Sequence, residues 1–288
     1  MLEIQDLAYQ VKKVRGIRYL LTSPRSGRPL IVLVHGLGES LDHWLPVIAE
    51  LRKDYQVLAF DIPGCGDSDR LPKLTRSTMT EQLLGLIESV ADSDKYILVA
   101  HSLGVIAACD LAPRLSSRLR ALVLVDASMY MASEALHFRI ANVGISFTVR
   151  IWRLVLAAHI PFSERLAIAV ARSSLLRRIA LSHVLWRPER VPAATLATIL
   201  RYTGRTHGLA MLLIALRSNY LDLLRQVACE VQVVFGDHDW LISDEDLTKT
   251  SEAAQVTAVS RVRDCGHWSI GEKPSDIAAF IQESARRT

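Results

Sequence analysis

A serine, an acid and a histidine each follow an apolar run in this 288-residue chain. Ser102 lies in YILVAHSLGVIAA (96–108), Asp239 in VVFGDHDWLI (233–242) and His267 in CGHWSIGEKP (265–274). A serine hydroxyl is a weak nucleophile at its ordinary pKa. To attack a carbonyl it needs a base to take its proton, a group to orient that base, and N–H donors for the oxyanion. Ser102 has small residues two positions before it (Ala100) and two after (Gly104), as a sharp strand-to-helix turn requires. A helix starting there brings backbone N–H groups and a positive dipole end close to the hydroxyl. Taken alone, the pattern fits a plain polar turn equally well. A second turn, His35-Gly36-Leu37-Gly38, follows another apolar run and can direct the Leu37 N–H at the same oxyanion.

These turns need a scaffold that gathers them. Leu30–Val34, Val57–Phe60, Ile97–Ala100 and Leu119–Val125 are near-continuous Ile, Leu and Val, the composition of parallel strands buried on both faces. Between them, Trp44–Leu51, Thr80–Ala91 and Leu103–Leu111 have helical spacing. Leu2–Tyr9 and Ile17–Leu21 are expected to form an antiparallel pair leading into the sheet. From 128 to 228 the pattern turns helical, with breaks at Pro161, Pro188, Pro192 and Gly204. The alternation resumes with a strand at Val231–Phe235, a helix near Asp244–Thr250, a strand near Val256–Val262 and a helix from Lys273. The expected fold is α/β: a mostly parallel central sheet flanked by helices, with an inserted all-helical cap. Its parts are a first core segment (1–127), the cap (128–228) and a second core segment (229–288). Open α/β sheets place ligands at the carboxyl ends of their strands, where all four turns then stand.

The motifs VLVHGLG, VLAFDIPGCGDSD, VAHSLG, VVFGDHDWLI and CGHWSIGEKP, in this order and spacing, resemble the α/β-hydrolase superfamily across nearly the whole core. The resemblance implies Ser102 as nucleophile, His267 as general base, and the N–H groups of Leu37 and Leu103 as oxyanion hole. The one departure is Ala100, where many members carry Gly. The family's G-x-x-D pattern selects Asp239 as the acid. Asp237 and Asp126 are the alternatives, the first as a turn residue and the second because some relatives take their acid from that strand end. A serine at the turn separates the chain from the haloalkane dehalogenase and epoxide hydrolase branches, which use Asp there.

The expected function is a serine hydrolase, most simply a carboxylic ester hydrolase, acting on a mostly apolar small molecule. GHW…E around His267 also resembles hydrolases that cleave carbon–carbon bonds of meta-cleavage products, and relatives use the same triad for elimination or acyl transfer. A binding protein that keeps the fold without turnover is the reading from another class. Gly36, Trp268 and Trp152 are candidates for touching substrate, and Trp186 and Phe162 for lining an apolar pocket. His101 is expected to be structural, His35 and His238 to bond their own loops, and His137, His159, His183 and His207 to lie in the cap without a partner pattern. The Asp61–Asp69 loop is expected to be structural, flanking the site. No histidine pair has metal-ligand spacing with a third ligand nearby, so neither metal nor cofactor is expected.

Charge is unevenly distributed. Residues 128–228 hold 13 Arg, no Lys and four acids, a net +9 against −5 for the rest. That block could attract an acidic or amphiphilic substrate, a carrier-bound acyl group or an anionic membrane surface, or simply present solvated helix faces. Nucleic-acid binding is not expected, because no recognition motif accompanies the charge. Arg150 and Arg153 interrupt the longest apolar stretch (140–160), so no membrane span is expected, and the N-terminus has no apolar signal region. Cys65, Cys109, Cys229 and Cys265 form no C-x-x-C pair and read as free thiols, pointing to the cytoplasm.

Overall fold

A computed structural model describes residues 11–25, 27–91, 93–127, 129–157, 159–204 and 208–287. Eight strands, Val11–Val14 (β1), Ile17–Leu21 (β2), Leu30–Val34 (β3), Val57–Phe60 (β4), Tyr96–His101 (β5), Leu119–Val125 (β6), Glu230–Gly236 (β7) and Val256–Val262 (β8), form one sheet in the order β1-β2-β4-β3-β5-β6-β7-β8. The β1–β2 and β2–β4 pairs are antiparallel and the remaining five are parallel. The expected strand Leu2–Tyr9 lies outside the described residues; the partner of Ile17–Leu21 is Val11–Val14. Their two-residue loop, Arg15 (φ 50°) and Gly16 (φ 78°), has the left-handed backbone whose twist matches a hairpin.

Alternation along the central strands sends side chains to two cores. Val32, Val34, Leu98, Leu122 and Leu124 pack on one face against Arg76–Val90 (α2) and Val105–Leu111 (α3). Ile31, Leu33, Ile97, Val99 and Val123 pack on the other against Leu45–Leu51 (α1) and Pro274–Arg287 (α14). The α2 helix begins four residues before the expected Thr80, because the Thr75 hydroxyl accepts from the Thr78 N–H and the Thr78 hydroxyl accepts in return from the Thr75 N–H. Before α1 the chain makes one 3-10 turn, Leu41–Trp44, capped by Ser40.

Between β6 and β7 the described residues hold eight α-helices: Tyr130–Leu136 (α4), Ile140–Val143 (α5), Ile145–Ala157 (α6), Glu164–Arg172 (α7), Ser174–Leu181 (α8), Ala193–Tyr202 (α9), Gly208–Leu216 (α10) and Tyr220–Leu224 (α11). After β7 come Asp244–Ala253 (α12) and the short Ser269–Glu272 (α13). Helix α11 packs on α3 and α12, and α4 on α12, so both ends of the helical block rest on the sheet layers. One of its arginines is structural: buried Arg177 donates to the carbonyls of Ala171, Pro188, Glu189 and Val191, fixing α8 to the segment that follows. Among the described residues, no helix is long and apolar enough to cross a membrane.

Candidate active site

Strand β5 ends at His101, and the chain turns at once through Ser102–Gly104 into α3. Ser102 takes φ 49°, a left-handed backbone that a side chain rarely adopts and that lifts its hydroxyl off the sheet edge. Close packing enforces the turn. A Cβ on Gly104 would stand 2.5 Å from the His35 carbonyl oxygen, and one on Gly36 would stand 3.0 Å from Ser102 Cβ. The 35–38 turn after β3 therefore lies in contact with Ser102.

The loops after β7 and β8 complete the group. Ser102 Oγ is 2.9 Å from His267 Nε2, and His267 Nδ1 is 2.9 Å from Asp239 Oδ2. Asp239 Oδ1 accepts from the Leu241 N–H, which fixes the carboxylate in the turn. With Nδ1–H given to Asp239, Nε2 carries the lone pair that accepts from the serine hydroxyl. Burial alone would lower the His267 pKa; the Asp239 charge and hydrogen bond outweigh it and hold the imidazole above its ordinary value.

The two alternative acids are placed elsewhere. Asp126, also at a left-handed φ (49°), accepts from the Gly236 N–H and from both the N–H and hydroxyl of Ser269. It is a fully buried brace between the loops after β6, β7 and β8. Asp237 accepts from the Cys265 N–H, joining the β7 and β8 loops.

His101, beside the serine in sequence, points to the opposite side and joins two halves of the site. Its Nδ1 lies 2.9 Å from Glu39 Oε1 and its Nε2 lies 3.1 Å from the His267 carbonyl oxygen. Both neighbours only accept, so both ring nitrogens carry protons. Burial opposes that charge, but Glu39 and Asp126 outweigh it and raise the pKa to about 10. Burial likewise pushes Glu39 up, yet the His101 cation wins and lowers it to about 2. Glu39 Oε2 also accepts from the Gly36 N–H at 2.6 Å. A continuous chain thus runs from the turn after β3, through Glu39 and His101, to the main chain of His267.

Glu272, the acid of the GHW…E motif, makes a second connection that residue patterns did not assign to it. It accepts from the N–H groups of Gly266, Trp186 and Arg187, tying the loop before His267 to the helical block. The only sign of either device in the sequence is a carboxylate inside a Gly-rich turn motif, Glu39 in HGLGES and Glu272 in GHWSIGEKP.

Ser102 and His267 open into a cavity of about 320 Å³, walled by Leu37, Leu103 and Trp268 on the sheet side and by Ile151, Val155, Phe162, Leu181 and Leu212 of the helical block. His43 and His183 also line it; burial lowers both pKa values, His43 to about 4. Among its described lining residues there is no Arg or Lys. Two of the residues expected to touch substrate do not line this cavity. Trp152 is not in the wall; it stacks on Phe138 with ring centroids 5.1 Å apart. Gly36 is not in the wall either, because its N–H is turned to Glu39.

His35 bonds its own loop and also accepts from the Ile62 N–H. His238 lies 3.9 Å from Asp237 of its own loop but mainly stacks on Trp186, centroids 3.6 Å apart. His137 bonds the carbonyls of Ser133 and Leu216, His159 that of Val155, and His207 lies outside the described residues. The 61–69 loop is held by Asp61, which takes N–H bonds from Leu41 and Asp67 and an ion pair from Arg18, and it does not line the cavity. The four cysteines are unpaired, and among the described residues no three His, Cys, Asp or Glu side chains are placed to hold a metal.

Comparison with known proteins gives one consistent picture. The family model described as alpha/beta hydrolase fold matches residues 29–274. "Putative carbamate hydrolase RutD" of Enterobacter cloacae is 36% identical over 105 residues, which span 36% of this chain and 39% of that protein. The dihydrolipoyllysine-residue acetyltransferase component of the acetoin cleaving system of Cupriavidus necator is 28% identical over 290 residues, covering 96% of this chain and 68% of that one. Among solved structures, E-2-(acetamidomethylene)succinate hydrolase superposes with a TM-score of 0.70 at 21% identity, covering 97% of this chain and 100% of that one. At that identity the superposition shows the fold alone.

Proposed function

This chain belongs to the alpha/beta hydrolase fold family, and from that premise we propose that it is a serine hydrolase cleaving an ester or related acyl bond of a mostly apolar small molecule. The observation that supports this reading is the pair of 2.9 Å contacts linking Ser102, His267 and Asp239 at the floor of an apolar cavity. In the proposed cycle Ser102 Oγ attacks the carbonyl carbon as its proton passes to His267 Nε2. The N–H groups of Leu37 and Leu103 hold the oxyanion, and Asp239 holds the imidazole in the tautomer that can accept. His267 then gives the proton to the leaving alcohol, and an acyl-serine remains. Water, deprotonated by His267, attacks that acyl group and releases the acid. The block 128–228 acts as the lid that shapes the substrate's apolar part.

Carbon–carbon bond cleavage of a dienoic acid has less support. Its carboxylate needs a cation; the described wall has no Arg or Lys, and the charge of its His101 is already taken by Glu39. The test is p-nitrophenyl ester hydrolysis with fluorophosphonate labelling. The wild type is expected to turn over and label, and Ser102→Ala to do neither. Equal turnover by Ser102→Ala overturns the proposal.

A further inference from the structure

Fourteen large apolar side chains are exposed among the described residues, and all but Val259 lie between Phe138 and Leu213. Such crowding of exposed apolar surface in one part of a chain marks a place where something else is bound. Helix α6 shows the pattern in detail. Ile151 and Val155 are buried against the cavity, while Ile145, Val149 and Leu156, spaced by four and seven residues, lie on the opposite, exposed side. Helix α8 repeats it: Leu181 is buried at the cavity and Leu175 and Ile179 are 65% and 70% exposed.

The charges beside these residues are mainly basic, with Arg178 paired to Glu189 at 3.7 Å and Arg150 over the Trp240 ring. Arg150 and Arg153 are exposed on α6, Arg172 at the end of α7 and Arg178 on α8, in a block with 13 Arg, no Lys and only four acids. Apolar side chains interleaved with arginines on short helices form a surface suited to an anionic layer: the arginines meet headgroups while the apolar groups enter the acyl boundary. A second copy of this chain would bring like charges together on this face.

The exposed surface also continues into the cavity. Ile160, three residues beyond α6, lines the cavity and is 61% exposed, so it stands at the mouth. On α8 the cavity-lining Ala180 lies one turn beyond exposed Leu176. An acyl chain leaving a bilayer here enters the cavity across apolar side chains.

We infer that the outer faces of α6 and α8, with the mouth at Ile160, form a docking surface for an anionic phospholipid bilayer. The inference concerns docking and stands whether or not Ser102 is the nucleophile.

The test is co-sedimentation of the full chain with vesicles of phosphatidylglycerol and phosphatidylcholine in equal parts, against phosphatidylcholine alone, with sedimentation velocity of the free protein. Binding is expected to the anionic vesicles and to weaken as salt rises. The Leu175→Ser/Ile179→Ser variant is expected to bind about tenfold more weakly or less, through lost apolar burial. Arg178→Glu is expected to lose at least about fivefold, the effect of one cation at an anionic surface. Hydrolysis of a water-soluble ester, or the thermal midpoint where no ester is turned over, should be unchanged in both variants, which shows that they fold. Binding no stronger than to phosphatidylcholine overturns the inference. So does anionic binding that neither variant weakens, or a wild-type dimer that Leu175→Ser/Ile179→Ser dissolves without vesicle binding.

Discussion

Nε2 of His101 lies 3.1 Å from the carbonyl oxygen of His267, so the residue preceding the proposed nucleophile holds the main chain of the proposed base. Through Nδ1 the same ring holds Glu39, whose carboxylate holds the Gly36 N–H beside Leu37. The 35–38 turn and the main chain of His267 are therefore positioned by one buried ion pair.

Replacing His101 by Gln leaves Glu39 buried without its cation. We expect a loss of about 3–5 kcal/mol in stability, because an unpaired buried charge is costly, and a fall in kcat with little change in KM. The double variant His101→Gln/Glu39→Gln should recover much of the stability, since no charge is left stranded. A double variant whose destabilisation equals the sum of those of His101→Gln and Glu39→Gln, in urea melts, would show that the pair is not coupled.

The same pair sets a pH window. Glu39 is lowered to about 2 in the folded chain, so its contribution is complete above the ordinary 4.5 and is lost as pH falls through 2. His101 is raised to about 10, so its contribution is complete below the ordinary 6.5 and is lost as pH rises through 10. The stability difference between wild type and the double variant should therefore be greatest between pH 4.5 and 6.5. A difference that is flat with pH would contradict this.

For Asp239→Asn, the expected change is in both rate and pH profile. The base must be neutral to accept a proton, so kcat/KM falls as pH drops through the His267 pKa, which Asp239 holds above its ordinary value. Removing that charge leaves burial, which lowers the pKa, so the acid limb should move to lower pH. The kcat should fall by about 10⁴-fold through loss of the correct tautomer. An unmoved acid limb would assign the titration to another group.

Gly104→Ala would put a Cβ 2.5 Å from the His35 carbonyl oxygen and 2.9 Å from that of Val34, both main-chain atoms with little room to yield. Overpacking of this kind costs about 1–3 kcal/mol, and roughly 2–4 °C of Tm for each kcal/mol. Because the displaced segment precedes Leu37, kcat should fall more than KM rises. A variant with wild-type Tm and kcat would refute the tight approach.

Glu272→Gln should loosen the tie between the 266 loop and residues 186–187, because an amide offers one accepting oxygen to three N–H groups. Loss of a charged hydrogen bond costs about 1.5–3 kcal/mol. Limited trypsin digestion should cut faster after Arg190, the exposed tryptic site three residues beyond this tie. Unchanged cleavage would show that Glu272 does not fasten this segment.

Much of the scaffold was readable from residue types. Strands β3 to β6 are rich in Ile, Leu and Val because helices cover both faces, and that composition marks their ends, after which Ser102 stands. The start of α2 is not legible in apolar spacing, since Thr75 and Thr78 cap each other through their side chains. Family pattern selected Asp239 but left Asp126 and Asp237 open, for all three lie just beyond strand ends. Only the folded loops turn Asp239 to His267 Nδ1, Asp126 to Ser269 and Asp237 to Cys265.

The sequence by itself determined which elements form and which edge of the sheet carries the reactive side chains, because hydrophobic period and turn residues are local properties. Tertiary structure alone decided who meets whom. His101 and the His267 carbonyl are 166 residues apart, His101 and Glu39 are 62 apart, and Trp186 and Glu272 are 86 apart. It also decided that Trp152 stacks on Phe138 and that apolar residues of α6 and α8 face outward. Such contacts depend on burial and on the angles at which loops leave the sheet, and residue spacing carries neither.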